Sequence, residues 1–266
     1  MNFIDTHAHL SDFVANGTLP EVLNRARKNN VARIITCSTT PSEWILYRDL
    51  CKEHSDILSW EIGIHPTEIK PDDDLALDAL SSFFIDSQTA PVAIGEIGLD
   101  FYRMTGSPAE NDAIKNRQIE IFRRQLRIAN DLDCKICVHA RDAVRESIDI
   151  ISQENVNFSN VVFHCFSGTN QELKELNALG ARASFTGVIT YKNAAPMREN
   201  MISQGLQKLM FETDCPYLAP MPLRGKQNEP ANIPLTASFA AKEFGISIVD
   251  MARITTENAF SFFCLR

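Results

Sequence analysis

The stretch Asp5-Thr6-His7-Ala8-His9 follows at once on the apolar start Phe3-Ile4. Residues two apart on an extended chain share a face, so His7 and His9 can present two imidazoles to one ion. A single histidine in an apolar strand is more often a hydrogen-bonded core residue; the pair is what points to metal. Four further donors stand where short apolar runs end: Glu96 after Val92-Ala93-Ile94, His139 after Ile136-Cys137-Val138, His164 after Val161-Val162-Phe163, and Asp214 after Leu209-Met210-Phe211. His65 ends another run, which leaves only His54 in a segment of helical character. Six nitrogen and oxygen donors exceed what one tetrahedral ion takes, so the expected cofactor is two divalent ions sharing a carboxylate. Glu96 is the expected bridge, between an ion on His7 and His9 and another on His139 and His164. Asp214 would complete the first and accept a proton from a water made acidic by the ion. A single ion, with the remaining donors around it, is the alternative. Imidazole with carboxylate suits Zn²⁺ or Mn²⁺, and phosphodiester chemistry often runs on Mg²⁺.

Eight short apolar runs of the kind that form buried parallel strands position these donors: Phe3–Thr6, Ala32–Thr36, Leu58–Ile62, Val92–Ile94, Ile136–Val138, Val161–Phe163, Arg182–Phe185 and Leu209–Phe211. Between them lie segments of helical length. In the clearest, Ile119, Phe122, Leu126 and Ala129 recur at three- and four-residue intervals with charged residues opposite. A final segment from Ser247 repeats the pattern through Met251, Ile254 and Phe262. Eightfold strand-helix alternation predicts an α/β fold, a (β/α)₈ TIM barrel of one domain over residues 1–266, with a doubly wound sheet as the rival. In a barrel the strands' carboxyl ends meet at one mouth, where six such donors would converge.

Composition narrows the class. The 266 residues are 44% hydrophobic and 23% charged, enough for a buried core. No apolar run approaches the roughly 20 residues of a membrane span, and the amino terminus lacks an export signal, so no membrane partner and a cytoplasmic location are expected. Seven cysteines, an odd number, fit a reducing compartment. Cys134 and Cys137 form a lone C-x-x-C, read as two packed strand residues. The net charge of −8 argues against a protein that coats nucleic acid, but not against an enzyme with a locally positive pocket. Gly95-Glu96-Ile97-Gly98 has neither the glycine spacing of a dinucleotide site nor a P-loop lysine, so no nucleotide cofactor is expected.

Along almost its whole length the sequence resembles the TatD family of metal-dependent deoxyribonucleases, amidohydrolase-like TIM barrels. The resemblance runs through Asp5-Thr6-His7-Ala8-His9-Leu10, Gly63-Ile64-His65-Pro66, Ile94 to Asp100, His139-Ala140-Arg141-Asp142-Ala143, His164-Cys165-Phe166-Ser167-Gly168, Glu212 to Leu218 and Arg224 to Pro230. The family's ligand pattern falls on the same six positions, and it implies cleavage of DNA phosphodiesters as a 3′-5′ exonuclease, with single strands or 3′ ends as substrate. Lys135 and Cys215 depart from the family's habit of a proline and a small residue there; neither is a ligand. The Pro-rich stretch from Cys215 to Pro234 is long for a βα connection and is expected to wall the mouth, with Arg224 and Lys226 holding phosphate. Arg141 and His65 are further candidates for substrate contact, and Glu212 for orienting a ligand. Two other readings use the same metals: hydrolysis of a small amide, lactone or phosphoester, and non-catalytic, metal-dependent nucleic-acid binding. Oligomeric state is not legible.

Overall fold

The computed structural model describes residues 1–102 and 104–265. Eight strands lie side by side in chain order: β1 Phe3–Ala8, β2 Val31–Cys37, β3 Leu58–Ile62, β4 Ala93–Asp100, β5 Lys135–Arg141, β6 Val161–Phe163, β7 Arg182–Phe185 and β8 Met210–Phe211. Every neighbouring pair is parallel, and helices fill the connections. The sheet curls until β8 returns to β1. There the seam is held by His7 O accepting from Asp214 N at 3.0 Å and Cys215 O accepting from His9 N at 2.8 Å. The buried Asp5 carboxylate adds bonds from Thr213 N and Oγ1 at 2.8 and 2.6 Å. This is the expected TIM barrel.

Alternation along the strands divides the core in two. Outward residues such as Ile34, Trp60, Ile94, Val138 and Phe163 pack against the helices. Inward residues Ile4, Ile35, Ala93, Cys137, Val162 and Met210 form a separate floor cluster, covered by Ala259, Phe262 and Phe263 of the helix Ile248–Phe263. That helix is tied to the strands' amino ends by Thr256 Oγ1 on Asn2 O and by Asn258 Nδ2 on Leu206 O and Leu209 O. The floor is thus closed and the carboxyl mouth left open.

Two strands run three or more residues past their apolar sequences. β4, expected to end at Ile94, continues to Asp100; β5, expected to end at Val138, continues to Arg141. Gly98 makes the first extension possible: its φ is 142°, and a Cβ there would meet His139 O at 2.0 Å. The backbones of β4 and β5 touch beside the site.

The long helix Pro108–Asp131 begins with a full capping box, Ser107 with Glu110. Its buried face includes two glutamines. Gln125 takes Ile64 N at 2.8 Å and donates to Ile64 O at 3.2 Å. Gln118 does the same for Asp100, at 2.9 and 3.1 Å. Each primary amide satisfies a peptide group at a strand end, where no neighbouring strand supplies a partner. These clamps fix the chain entering His65 and leaving Asp100.

Candidate metal centre

At the mouth Glu96 sits between two groups of imidazoles. Its Oε1 lies 2.6 Å from His139 Nδ1, 2.6 Å from His164 Nε2 and 3.4 Å from His65 Nε2. Its Oε2 lies 3.4 Å from His7 Nε2 and 3.5 Å from His9 Nε2. Asp214 Oδ1 is 3.4 Å from His9 Nε2. Donor atoms fall within 4.8 Å of one another in the groups His7, His9, Asp214; His7, Glu96, His164; and His65, Glu96, His139. All six expected ligands therefore converge, and His65 stands among them.

Beside three of the donors the backbone leaves its strand sharply. Asp142, Cys165 and Asp214, at the ends of β5, β6 and β8, have φ of 53°, 43° and 52°. Left-handed backbone outside glycine is uncommon and costs energy, and such residues cluster at functional sites.

Electrostatics favour cation binding. Burial opposes charge throughout the centre, but at Glu96 the surrounding imidazoles prevail and hold the carboxyl well below its usual range. Burial likewise works against an imidazolium at His7, yet the Glu61 and Glu96 carboxylates beside it push it up to about 10. His139 and His164 are raised against burial by Asp100 and Glu96 and by Glu96 and Glu212 respectively, while burial lowers His65. Protons here stand where cations are wanted. His7 Nε2 and His164 Nδ1 are buried without a hydrogen-bond partner. An orphaned imidazole nitrogen facing a carboxylate, in a set of nitrogen and oxygen donors, fits divalent metal.

A surrounding ring of acceptors orients the ligands. Asp100 Oδ2 is 3.1 Å from His139 Nε2. Glu212, expected to act this way, is 3.5 Å from His164 Nδ1 and accepts from Cys165 N and Ser184 Oγ. Thr67 Oγ1 lies 2.8 Å from His65 Nδ1. Asp100 and Glu61 went unassigned in the sequence, although Asp100 ends the Ile94-to-Asp100 motif and Glu61 is a carboxylate inside an apolar strand.

A cavity of about 710 Å³ opens over the centre. Arg141 is on its wall, 3.7 Å above the ring of Tyr102. Of the Pro-rich stretch, Pro216, Tyr217 and Leu218 line it; Arg224 and Lys226 are exposed outside that lining, and Arg224 packs 4.4 Å over Tyr191. Asp12, Glu43 and Glu68 make the rim acidic.

Imidazoles and carboxylates gathered at the carboxyl end of a (β/α)₈ barrel define the class, a metal-dependent hydrolase. Comparison with known proteins gives the family. The family model described as TatD related DNase matches residues 4–264, and the chain belongs to the TatD family. It is 34% identical over 258 residues to the uncharacterized metal-dependent hydrolase YabD of Bacillus subtilis, covering 96% of each chain. It is 31% identical over 261 residues to the uncharacterized metal-dependent hydrolase YcfH of Escherichia coli K12, covering 97% of this chain and 94% of that one. Among solved structures, the TatD homolog YjjV of Escherichia coli K12 superposes with a TM-score of 0.89 at 25% identity, over 99% of this chain and 98% of the other. No helix among the described residues is long and apolar enough to cross a membrane.

Proposed function

We propose that the protein hydrolyses DNA phosphodiesters from a 3′ end on single strands, using two divalent ions. The observation that carries this reading is the division of Glu96: Oε2 faces His7 and His9, Oε1 faces His139 and His164. In this reading His7, His9 and Asp214 would hold one ion and His139 and His164 the other, with Glu96 placed between them. Bound divalent ions supply an activated water and charge to offset the phosphate. Asp214, at the open side of the centre, takes the proton released as water attacks. Asp100 and Glu212 hold the rings of His139 and His164 in position. Arg141, its guanidinium face against Tyr102, contacts a phosphate next to the scissile one. The family description as a DNase supports nucleic acid, and a cavity of about 710 Å³ suits a terminal nucleotide better than a duplex.

A small phosphoester is the second reading, favoured by the acidic rim of Asp12, Glu43 and Glu68. One assay separates them: metal-stripped protein, a 5′-labelled single-stranded deoxyoligonucleotide, and Mg²⁺, Mn²⁺ or Zn²⁺ restored, beside Glu96→Ala. A ladder shortening from the 3′ end, absent in the variant, is the expected result. An intact oligonucleotide with every metal, together with hydrolysis of a small phosphoester, would replace it.

A further inference from the structure

Beneath the metal centre, inside the barrel, four groups from four strands meet: His7 of β1, Cys37 of β2, Glu61 of β3 and Cys137 of β5. All are buried, at 0%, 0%, 0% and 1% exposure. Donor atoms of His7, Cys37 and Glu61 lie within 4.8 Å of one another. His7 Nδ1 is 3.5 Å from Glu61 Oε2 and 3.5 Å from Cys137 Sγ. Among the described residues neither carboxylate oxygen of Glu61 has a hydrogen-bond partner. A fully buried carboxylate left this way is costly and asks for a ligand. Donors around a tetrahedral zinc-class ion stand about 3.3–3.8 Å apart, given its usual bonds to nitrogen, oxygen and sulfur. Both distances from His7 match that spacing.

The sequence sets Cys137 beside Cys134 in a lone C-x-x-C; the fold sets it inside the barrel, 3.5 Å from His7 Nδ1. Cys134 precedes β5 and packs against the outer core, whereas Cys137 points inward. Burial, with the charges of Glu61 and Glu96, keeps the Cys37 and Cys137 thiols protonated without an ion.

We propose that Cys37, Glu61, Cys137 and Nδ1 of His7 form a separate site for one thiophilic divalent cation of the zinc class, distinct from the centre organised by Glu96. On binding, the two thiol protons and the proton on His7 Nδ1 pass to solvent, and the sulfurs bind as thiolates. When the centre at Glu96 is also filled, the Nε2 proton leaves to solvent too, and His7 as an imidazolate would offer Nδ1 to this site and Nε2 to that centre, so one ring joins the two. Thiolate donors select softer ions than Mg²⁺, whereas the centre above offers only nitrogen and oxygen.

Cobalt(II) reports sulfur ligation directly, independently of any hydrolysis. Titrating the metal-free, full-length protein under reducing conditions is expected to produce a sulfur-to-cobalt charge-transfer band in the near ultraviolet. In Cys37→Ser/Cys137→Ser the band is lost and stoichiometry falls by one ion, while the remaining ions still bind. Glu61→Gln, nearly isosteric, is expected to weaken the band-forming ion at least about tenfold. Absence of the band in the wild type overturns the site. So does its persistence in the double variant, which would move the sulfur ligand to Cys165 or Cys215. If the double variant fails to fold by circular dichroism, Glu61→Gln decides, and unchanged cobalt affinity there also overturns the proposal.

Discussion

At the residue scale Glu96 carries the heaviest consequence, because two groups of histidines face its two oxygens. Glu96→Ala is expected to lower turnover at least about 100-fold and to reduce bound metal, read by elemental analysis beside the oligonucleotide assay. Asp214→Asn should lower kcat by about 100- to 10,000-fold at saturating metal with little change in KM. Unchanged turnover with metal retained would remove Asp214 from proton transfer. Metal affinity should also depend on pH in one direction. In the metal-free protein His7 is raised to about 10, and His139 and His164 are raised as well. The stability these protons contribute is complete below about 6.5 and is lost as pH rises through the raised values. A divalent ion must displace the same protons, so its affinity climbs over that interval. Isothermal titration in buffers of different ionisation enthalpy checks this; an affinity flat with pH would contradict it. The six donors were legible because each follows an apolar run. Glu61 and Asp100 were not, because their partners come from other strands and only the closed barrel reveals them.

Among the elements, the fold's least expected feature is the helix Pro108–Asp131, whose glutamines serve strand ends. Gln125→Leu leaves Ile64 N–H and C=O buried without partners, a loss of about 2–3 kcal/mol, measurable by urea denaturation. The same variant should disturb His65, which follows Ile64 directly. A helical face is read from apolar spacing, here Ile119, Phe122, Leu126 and Ala129, and that spacing does not single out Gln118 or Gln125. For the same reason β4 was cut short: Gly95, Glu96 and Gly98 break an apolar pattern while continuing an extended chain. By contrast Leu58–Ile62, Val161–Phe163 and Arg182–Phe185 agree with the expected strands residue for residue. Phe262 is buried at 2% exposure over the floor cluster. Phe262→Ala should cost about 3–5 kcal/mol, read as a lower midpoint in the same denaturation. Its effect on the mouth should be small, since the substitution lies at the opposite end of the barrel.

For the whole molecule, charge and architecture act together. The net charge is −8, and the rim presents Asp12, Glu43 and Glu68 beside Arg141. Without metal this surface repels phosphate. A fluorescent single-stranded oligonucleotide should show no anisotropy change in chelator at physiological salt, and a rise when divalent ions return. Binding that survives chelation would shift substrate capture to outer cations such as Arg224 and Lys226. The seam between β1 and β8 has another consequence, in the order of synthesis. His7 and His9 leave the ribosome about two hundred residues ahead of Asp214, and Asp214 joins them through the backbone bonds that close the barrel. A nascent chain lacking β8 holds His9 without Asp214, one of its two carboxylate neighbours. The set of gathered donors is therefore completed only with the last strand, as the barrel closes.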